Sequence, residues 1–164
     1  MIIAKADISN IEDILKIINQ AKEYLKSQHI NQWQDGYPNK ELFLNDIKND
    51  CLYIVKDNDE VIGVFALINH EPTYDVICDG KWHSDDNYVA IHRIAIDDSY
   101  KGKGVAKFIF DYVKDNYSYI RVDTHKDNQN MQRCLIKNGF KYCGIIYLSR
   151  DNSPRVAFDY NDKK

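Results

Sequence analysis

With 164 residues, 44% of them hydrophobic, the chain is long enough to build a sizeable core. A formal charge of −3 at pH 7 argues against a nucleic-acid surface, which carries a basic field. No apolar run approaches membrane-spanning length and Met1 to Lys5 lacks a signal-peptide layout, so a cytoplasmic protein with no membrane partner is expected. In chain order, Ile2 to Lys5 reads as a short strand. Ser9-x-x-Glu12 has the form of a capping box ahead of a helix striped by Ile11, Ile14, Leu15, Ile18 and Leu25. His29 to Asn39 is a loop, and Lys40 to Asn49 a second short helix. Leu52 to Lys56 and Val61 to Ile68 are strands joined by a hairpin turn at Asp57-Asn58-Asp59. Asn69 to Asn87 is a long acidic loop and Tyr88 to Ile96 a strand. The helical spacing of Val105, Phe108, Ile109, Tyr112 and Val113 predicts a helix opening near Gly102 to Gly104. Tyr119 to Thr124 is a strand, Asn128 to Asn138 the last helix, and Phe140 to Leu148 with Arg155 to Tyr160 a closing pair of strands. This alternation predicts an α/β fold, a mixed sheet with helices on its faces, in one domain over residues 1–164.

The segment from Ile94 to Lys107 carries the chemistry. An apolar strand enters a short acidic turn, Asp97-Asp98-Ser99, then a glycine-spaced loop, then a helix. Glycines at a helix start let a ligand approach the backbone, and the N–H groups of the first turn together with the helix dipole favour an anion. Lys101, Lys103 and Lys107 add positive charge, so the loop reads as a phosphate cradle. It is no P-loop, because no Gly-Lys-Ser/Thr follows at the required spacing. It is no dinucleotide fingerprint, because Lys107 stands where a third small residue belongs.

What the segment resembles is the pyrophosphate loop of the GNAT family of N-acetyltransferases, written Arg/Gln-x-x-Gly-x-Gly/Ala, with Lys101, Gly104 and Ala106 at its defining positions. A second block is similar as well: the strand Ile120-Arg121-Val122-Asp123-Thr124, then His125, Asn128 opening a helix, and Gly139-Phe140 closing it. The resemblance implies the acyl-CoA N-acyltransferase fold, with a mixed central sheet of about six to seven strands and about four flanking helices. It implies acetyl-CoA as cofactor, its pyrophosphate on Lys101, Gly102, Lys103, Gly104, Val105, Ala106 and Lys107 and its pantetheine arm along Ile94, Ala95 and Ile96. Lys101 keeps the charge of the family's Arg but lacks its planar fork. Asn128 would cap its helix and could touch the cofactor; capping alone explains it equally well.

Acetyl transfer to an amine needs a proton acceptor, because an alkylamine of pKa roughly 10.4 is mostly charged at neutral pH. It also needs a donor to the thioester oxygen. The resemblance assigns the second task to the backbone N–H of Ile96. For the first, Asp123 matches the place where ribosomal-protein N-terminal acetyltransferases of the family carry a carboxylate; the alternative is a solvated Asp at a strand end. His92, on the cofactor strand, is the rival base, against its reading as a hydrogen-bonded core histidine. His125 could relay protons. Arg93 reads as a structural ion-pair partner. The general-acid Tyr that the family often places seven residues after the Asn is Leu135 here, so no acid is expected there.

The acceptor must be read from two loops. Trp33 and Tyr37 in the first, Glu71 and Trp82 in the second, with Asp75, Asp85 and Asp86, suit a cationic amine through charge and aromatic faces; against this stands ordinary solvated surface. A small-molecule amine or a peptide N-terminus is the expected partner of a monomer or homodimer. An acyl-CoA-binding module without turnover and a toxin-type enzyme acting on aminoacyl-tRNA are the alternatives. Cys51, Cys78, Cys134 and Cys143 show no CxxC spacing, so reduced thiols and no metal are expected.

Overall fold

The computed structural model describes residues 1–163; Lys164, the last residue of the expected domain, lies outside them. The elements run β1 (Ile2–Lys5), α1 (Ile11–Ser27), α2 (Lys40–Lys48), β2 (Leu52–Asp57), β3 (Glu60–Ile68), β4 (Val89–Ile96), α3 (Val105–Asn116), β5 (Tyr119–Thr124), α4 (Gln129–Lys137), β6 (Lys141–Tyr147) and β7 (Pro154–Asn161), with 3₁₀ turns at Ile8–Asn10, Pro72–Asp75 and Asp98–Tyr100. Seven strands form a mixed sheet in the order β1-β2-β3-β4-β5-β7-β6, with β4 and β5 parallel, as the alternating sequence predicts. The chain divides into two compact units, Met1–Leu67 with His92–Ile109, and Ile68–Ile91 with Phe110 onward; β4 and α3 each run through both.

In the first unit, Ile11, Ile14, Ile17 and Ile18 of α1 recur at helical spacing and bury against Phe43, Leu52, Ile54 and Val64. Each such side chain contributes about 1.5–3 kcal/mol by leaving water. The entry to α1 differs from the expected box. Asp7, in extended backbone, accepts the Ser9 N–H at 2.8 Å, and the Asn10 side chain accepts the Asp7 N–H at 2.9 Å. The Ser9 hydroxyl is itself a donor to Asp7. An ionised carboxylate is the stronger acceptor, so it takes the cap and starts a 3₁₀ turn before the helix. The hairpin of β2 and β3 turns on Asn58-Asp59, with Asp57 opposite Glu60 and Asn58 at φ 54°.

In the second unit, β5 pairs β7 and β7 pairs β6, both antiparallel. Side-chain alternation places Tyr119, Arg121 and Asp123 on one face of β5 and Ile120, Val122 and Thr124 on the other. The acidic segment 69–87 is more than a solvated loop. Tyr74 is 1% exposed and packs with Ala90, Cys143, Ile146 and Ala157, joined by Trp82 and Tyr88. Leu135 of α4 is fully buried. Among the described residues no helix is long and apolar enough to cross a membrane.

Candidate functional site

The glycine loop is held from below and open above. Asp97, buried at the end of β4, accepts the Ser99 N–H at 2.9 Å. Gln20 of α1 clamps the same turn: its Oε1 accepts the Asp98 N–H at 2.9 Å and its Nε2 lies 3.4 Å from Asp97 Oδ2. Gly102 (φ 75°) and Gly104 (φ 83°) take left-handed backbone, and a Cβ built on either would meet nothing within 4 Å. Conformation, not crowding, therefore requires glycine, and the space beside both residues is clear for a ligand. The ladder of α3 begins with Phe108 N–H donating to Gly104 O at 3.0 Å, so the N–H groups of Val105 and Ala106 come before it. Lys101 pairs with Asp98 at 2.9 Å and lies 4.1 Å over the Tyr24 ring. Both charged side chains are largely exposed, and such a pair is worth about 0–1 kcal/mol, so an arriving anion can displace Asp98. Lys103 stands 5.5 Å over the Tyr100 ring. The residues fit a bound pyrophosphate.

Ile94, Ala95 and Ile96 follow with a defined backbone polarity. The Asp97 N–H donates to Ile62 O of β3 at 2.8 Å, and the Ala95 carbonyl lies 3.5 Å from where a Gly63 Cβ would stand. Alternation along a strand then turns the N–H groups of Ile94 and Ile96 away from β3. Among the described residues the register of β4 with β5 covers Val89 with Ile120 and Ala90 with Arg121. His92 departs from simple alternation with Ile94, because Arg93 between them sits at φ 54°, which breaks the pleat. Arg93 is an ion-pair partner as its sequence context predicts: Nε and Nη2 donate to the two oxygens of Asp46 of α2 at 2.8 and 2.9 Å, and Nη1 to Tyr37 Oη at 3.0 Å. Trp33 packs on the core of the same unit.

In the second unit Asp123 is partly exposed and hydrogen-bonded. Its Oδ2 accepts the phenol proton of Tyr74 at 2.6 Å, while Oδ1 has no partner among the described residues. Burial first, then the charge of Asp123, push the Tyr74 phenol well above 10, so it remains a donor. Nothing in the sequence singles out Tyr74, because the pairing spans 49 residues and depends on how the acidic segment folds back. His125 Nδ1 accepts the Asp127 N–H at 3.0 Å, which leaves the ring proton on Nε2; burial first, then Arg155, lowers its pKa from 6.5. Asn128 caps α4 by accepting the Met131 N–H at 3.2 Å. Glu71 caps the 3₁₀ turn Pro72–Asp75 through Thr73 N–H at 3.0 Å. Trp82 donates to Tyr74 O at 3.0 Å, and the Arg121 guanidinium already lies 4.2 Å from its ring. Each of the four expected substrate residues thus has structural partners within its own unit.

The mixed seven-stranded sheet with its helices matches the fold of solved acyltransferases. Residues 18–140 match the model of the acetyltransferase (GNAT) family, and the chain belongs to that family, which uses acetyl-CoA as its co-substrate. The solved structure of a GNAT-family acetyltransferase from Streptococcus agalactiae is 32% identical, with 99% of this chain and 96% of that one covered and a TM-score of 0.91. A GNAT-family acetyltransferase from Listeria monocytogenes is 15% identical over 98% of this chain and 94% of its own, TM-score 0.72. A ribosomal-protein-alanine N-acetyltransferase from Brucella melitensis, 12% identical over 98% of this chain and 99% of its own with a TM-score of 0.64, shares the fold. No curated protein matches the sequence.

Proposed function

We propose that this acetyltransferase, working as one N-acetyltransferase domain, moves the acetyl group of acetyl-CoA to a primary amine of a small molecule or a peptide N-terminus by direct attack on the thioester. The observation that carries this reading is the loop Lys101 to Ala106, with two glycines at positive φ beside clear space at the start of α3. Acetyl-CoA, when bound, supplies an acyl group activated by a thiol leaving group. Lys101, Gly102, Lys103, Gly104, Val105 and Ala106 would hold its pyrophosphate through main-chain N–H groups, a helix N-terminus worth about half a positive charge, and lysine charge reinforced by Lys107. Ile94, Ala95 and Ile96 would hold the pantetheine amides through backbone groups turned away from β3. Asn128 keeps its capping role and is the further candidate for cofactor contact.

The Ile96 N–H serves as the donor where negative charge develops, which is worth several kcal/mol in a preorganised site. Asp123 takes the amine proton on Oδ1, with Oδ2 fixed by Tyr74; His92 is the second candidate, and His125 presents Nε2–H as a neighbouring donor. Leu135 offers no proton, and a thiol of pKa about 8.5 needs none to depart. Asp75, Asp85 and Asp86 supply the field that draws a cationic acceptor, with Trp33, Tyr37, Glu71 and Trp82 shaping the loops around it. A thiol-release assay over a panel of amines, with the product weighed by mass spectrometry, tests the reading. One acetylated amine per coenzyme A released is expected. Release with no acetylated amine across small amines and peptides overturns it.

A further inference from the structure

His83, Cys143 and Asp159 converge in the second unit, on the side of the sheet where β6 and β7 pair. One ligand atom from each lies within 4.8 Å of the others. His83 Nδ1 is 2.7 Å from Asp159 Oδ1, and Cys143 Sγ is 3.4 Å from the same nitrogen. Asp159 is 2% and Cys143 3% exposed, whereas the His83 side chain is 39% exposed. We propose that His83 Nδ1, Cys143 Sγ and Asp159 Oδ1 bind a divalent transition-metal ion of borderline softness, zinc above all.

The backbone is shaped to bring these three together. The register of β6 with β7 shifts between Tyr142 and Gly144, a bulge that re-aims Cys143. The segment bearing His83 docks on that bulge through Lys81 N–H to Cys143 O and a Cys78–Ile145 bridge, each hydrogen bond 2.8 Å. Two glycines allow the approach: a Cβ at Gly80 would stand 1.9 Å from Cys143 O, and one at Gly144 2.6 Å from Cys78 O. The carboxylate is also oriented as metal ligands are. Asp159 Oδ2 accepts the His83 N–H at 2.9 Å and the Tyr119 phenol at 2.8 Å, which leaves Oδ1 facing the imidazole.

Tetrahedral zinc with nitrogen and oxygen at about 2.0–2.1 Å and sulfur at about 2.3 Å sets ligand edges of roughly 3.3 Å for N···O and 3.6 Å for N···S. The Cys–His edge already fits, and the His–Asp edge must open by roughly half an ångström when the metal replaces the hydrogen bond between them. On binding, Cys143 releases its thiol proton to solvent, and the Nδ1 proton that His83 shares with Asp159 is released or passes through solvent to Nε2, which frees the Nδ1 pair for the metal. Thiolate and carboxylate together balance the metal's two charges. Three protein ligands leave a fourth position for water or an exogenous ligand. Arg121 donates to Tyr119 Oη at 3.2 Å, with its guanidinium set against the rings of Trp82, Tyr88 and Tyr119, and Lys141 stands opposite Asp159 in the β6–β7 register. The cysteine spacing hides the site, since its ligands stand at 83, 143 and 159.

Cobalt(II) titration of the reduced full chain tests the proposal. One equivalent should give thiolate-to-cobalt charge-transfer absorption that zinc abolishes, and zinc should raise the thermal midpoint. Cys143→Ser should lose the band, and His83→Gln, at a half-exposed position that tolerates change, should weaken cobalt binding. Tyr119→Phe, which touches no metal, should weaken it about 10–100-fold by freeing the carboxylate. No thiolate band in the intact chain, a band unchanged in Cys143→Ser, or affinity unchanged in His83→Gln overturns the site. If Cys143→Ser does not fold, the His83→Gln titration decides.

Discussion

Arg93 and Asp46 meet as a two-point fork, Nε to Oδ2 at 2.8 Å and Nη2 to Oδ1 at 2.9 Å, with side chains 8% and 5% exposed. The guanidinium belongs to the residue at φ 54° that breaks the pleat of β4, so the fork ties the strand bearing Ile94 and Ile96 to α2. Tyr37 completes the anchor through its phenol oxygen. Removing one member of a buried pair leaves the other charge uncompensated. Asp46→Asn should therefore lose about 3–5 kcal/mol in urea unfolding. A loss below about 1 kcal/mol would mean that water reaches Arg93.

Gly104 sits at φ 83° beside clear space, so a side chain there is strained by the backbone and not by neighbours. Gly104→Ala should cost about 1–2 kcal/mol of stability. Acetyl-CoA affinity should fall on the order of tenfold or more, beyond what that loss explains in a protein that remains folded. Calorimetry finding unchanged affinity would exclude this loop as the pyrophosphate cradle.

The proton acceptor separates by rate. Asp123→Asn keeps an acceptor for the Tyr74 phenol, so the fold should hold while kcat falls on the order of 10²–10⁴ at pH 7 and recovers at high pH, where the amine deprotonates unaided. His92→Phe should lose little. Tyr74→Phe removes the phenol and keeps the ring, and should lower kcat about tenfold by loosening Asp123. The reverse pattern, with His92→Phe the crippled variant, assigns the proton to His92.

His125 gives a stability profile with a defined sign. Burial lowers its pKa in the folded chain below the 6.5 of the free group. As pH falls through 6.5 the unfolded chain takes up a proton that the folded one does not, so stability drops and levels off once the folded value is passed. His125→Gln should flatten the curve in that window. The carboxylates of Asp7 and Asp151, held below 3.8 first of all by hydrogen bonds from the Ser9 and Ser153 side chains, act in a separate acid range. Parallel curves for the two proteins between pH 7 and pH 5 would refute the assignment.

Burial first, then the charge of Asp46, push the Cys51 thiol up to about 11. At pH 8 about one such group in a thousand is thiolate, so alkylation should run on the order of a hundredfold slower than at a thiol of pKa about 8.5. Mass-resolved labelling of the native chain reads this directly; labelling as fast as the free thiol would contradict it.

Local signals were legible wherever they were short-range. The stripe Ile11-Ile14-Ile18 implies α1, because burial of one helix face follows from spacing alone. The Lys101 to Ala106 glycines imply a left-handed loop at a helix start, because only glycine takes φ of 75° and 83° without strain. Asn128 and Lys40 mark helix starts, and Asp57 to Glu60 a hairpin, through chemistry confined to a few residues. By these means the sequence determined the order of elements, the glycine loop at the start of α3 and the family.

Tertiary structure decided what each polar side chain does. Which carboxylate Arg93 pairs with was decided by a residue 47 positions away, and the hydrogen bond that Asp123 accepts comes from a phenol 49 positions away. The same holds for Trp82, whose ring meets Arg121, and for His83, which meets Asp159 across 76 residues. Periodicity reports which side of an element leaves water. It carries no record of which distant donor or charge meets a polar group there, and at these sites that meeting sets the protonation, orientation and chemistry of the side chain.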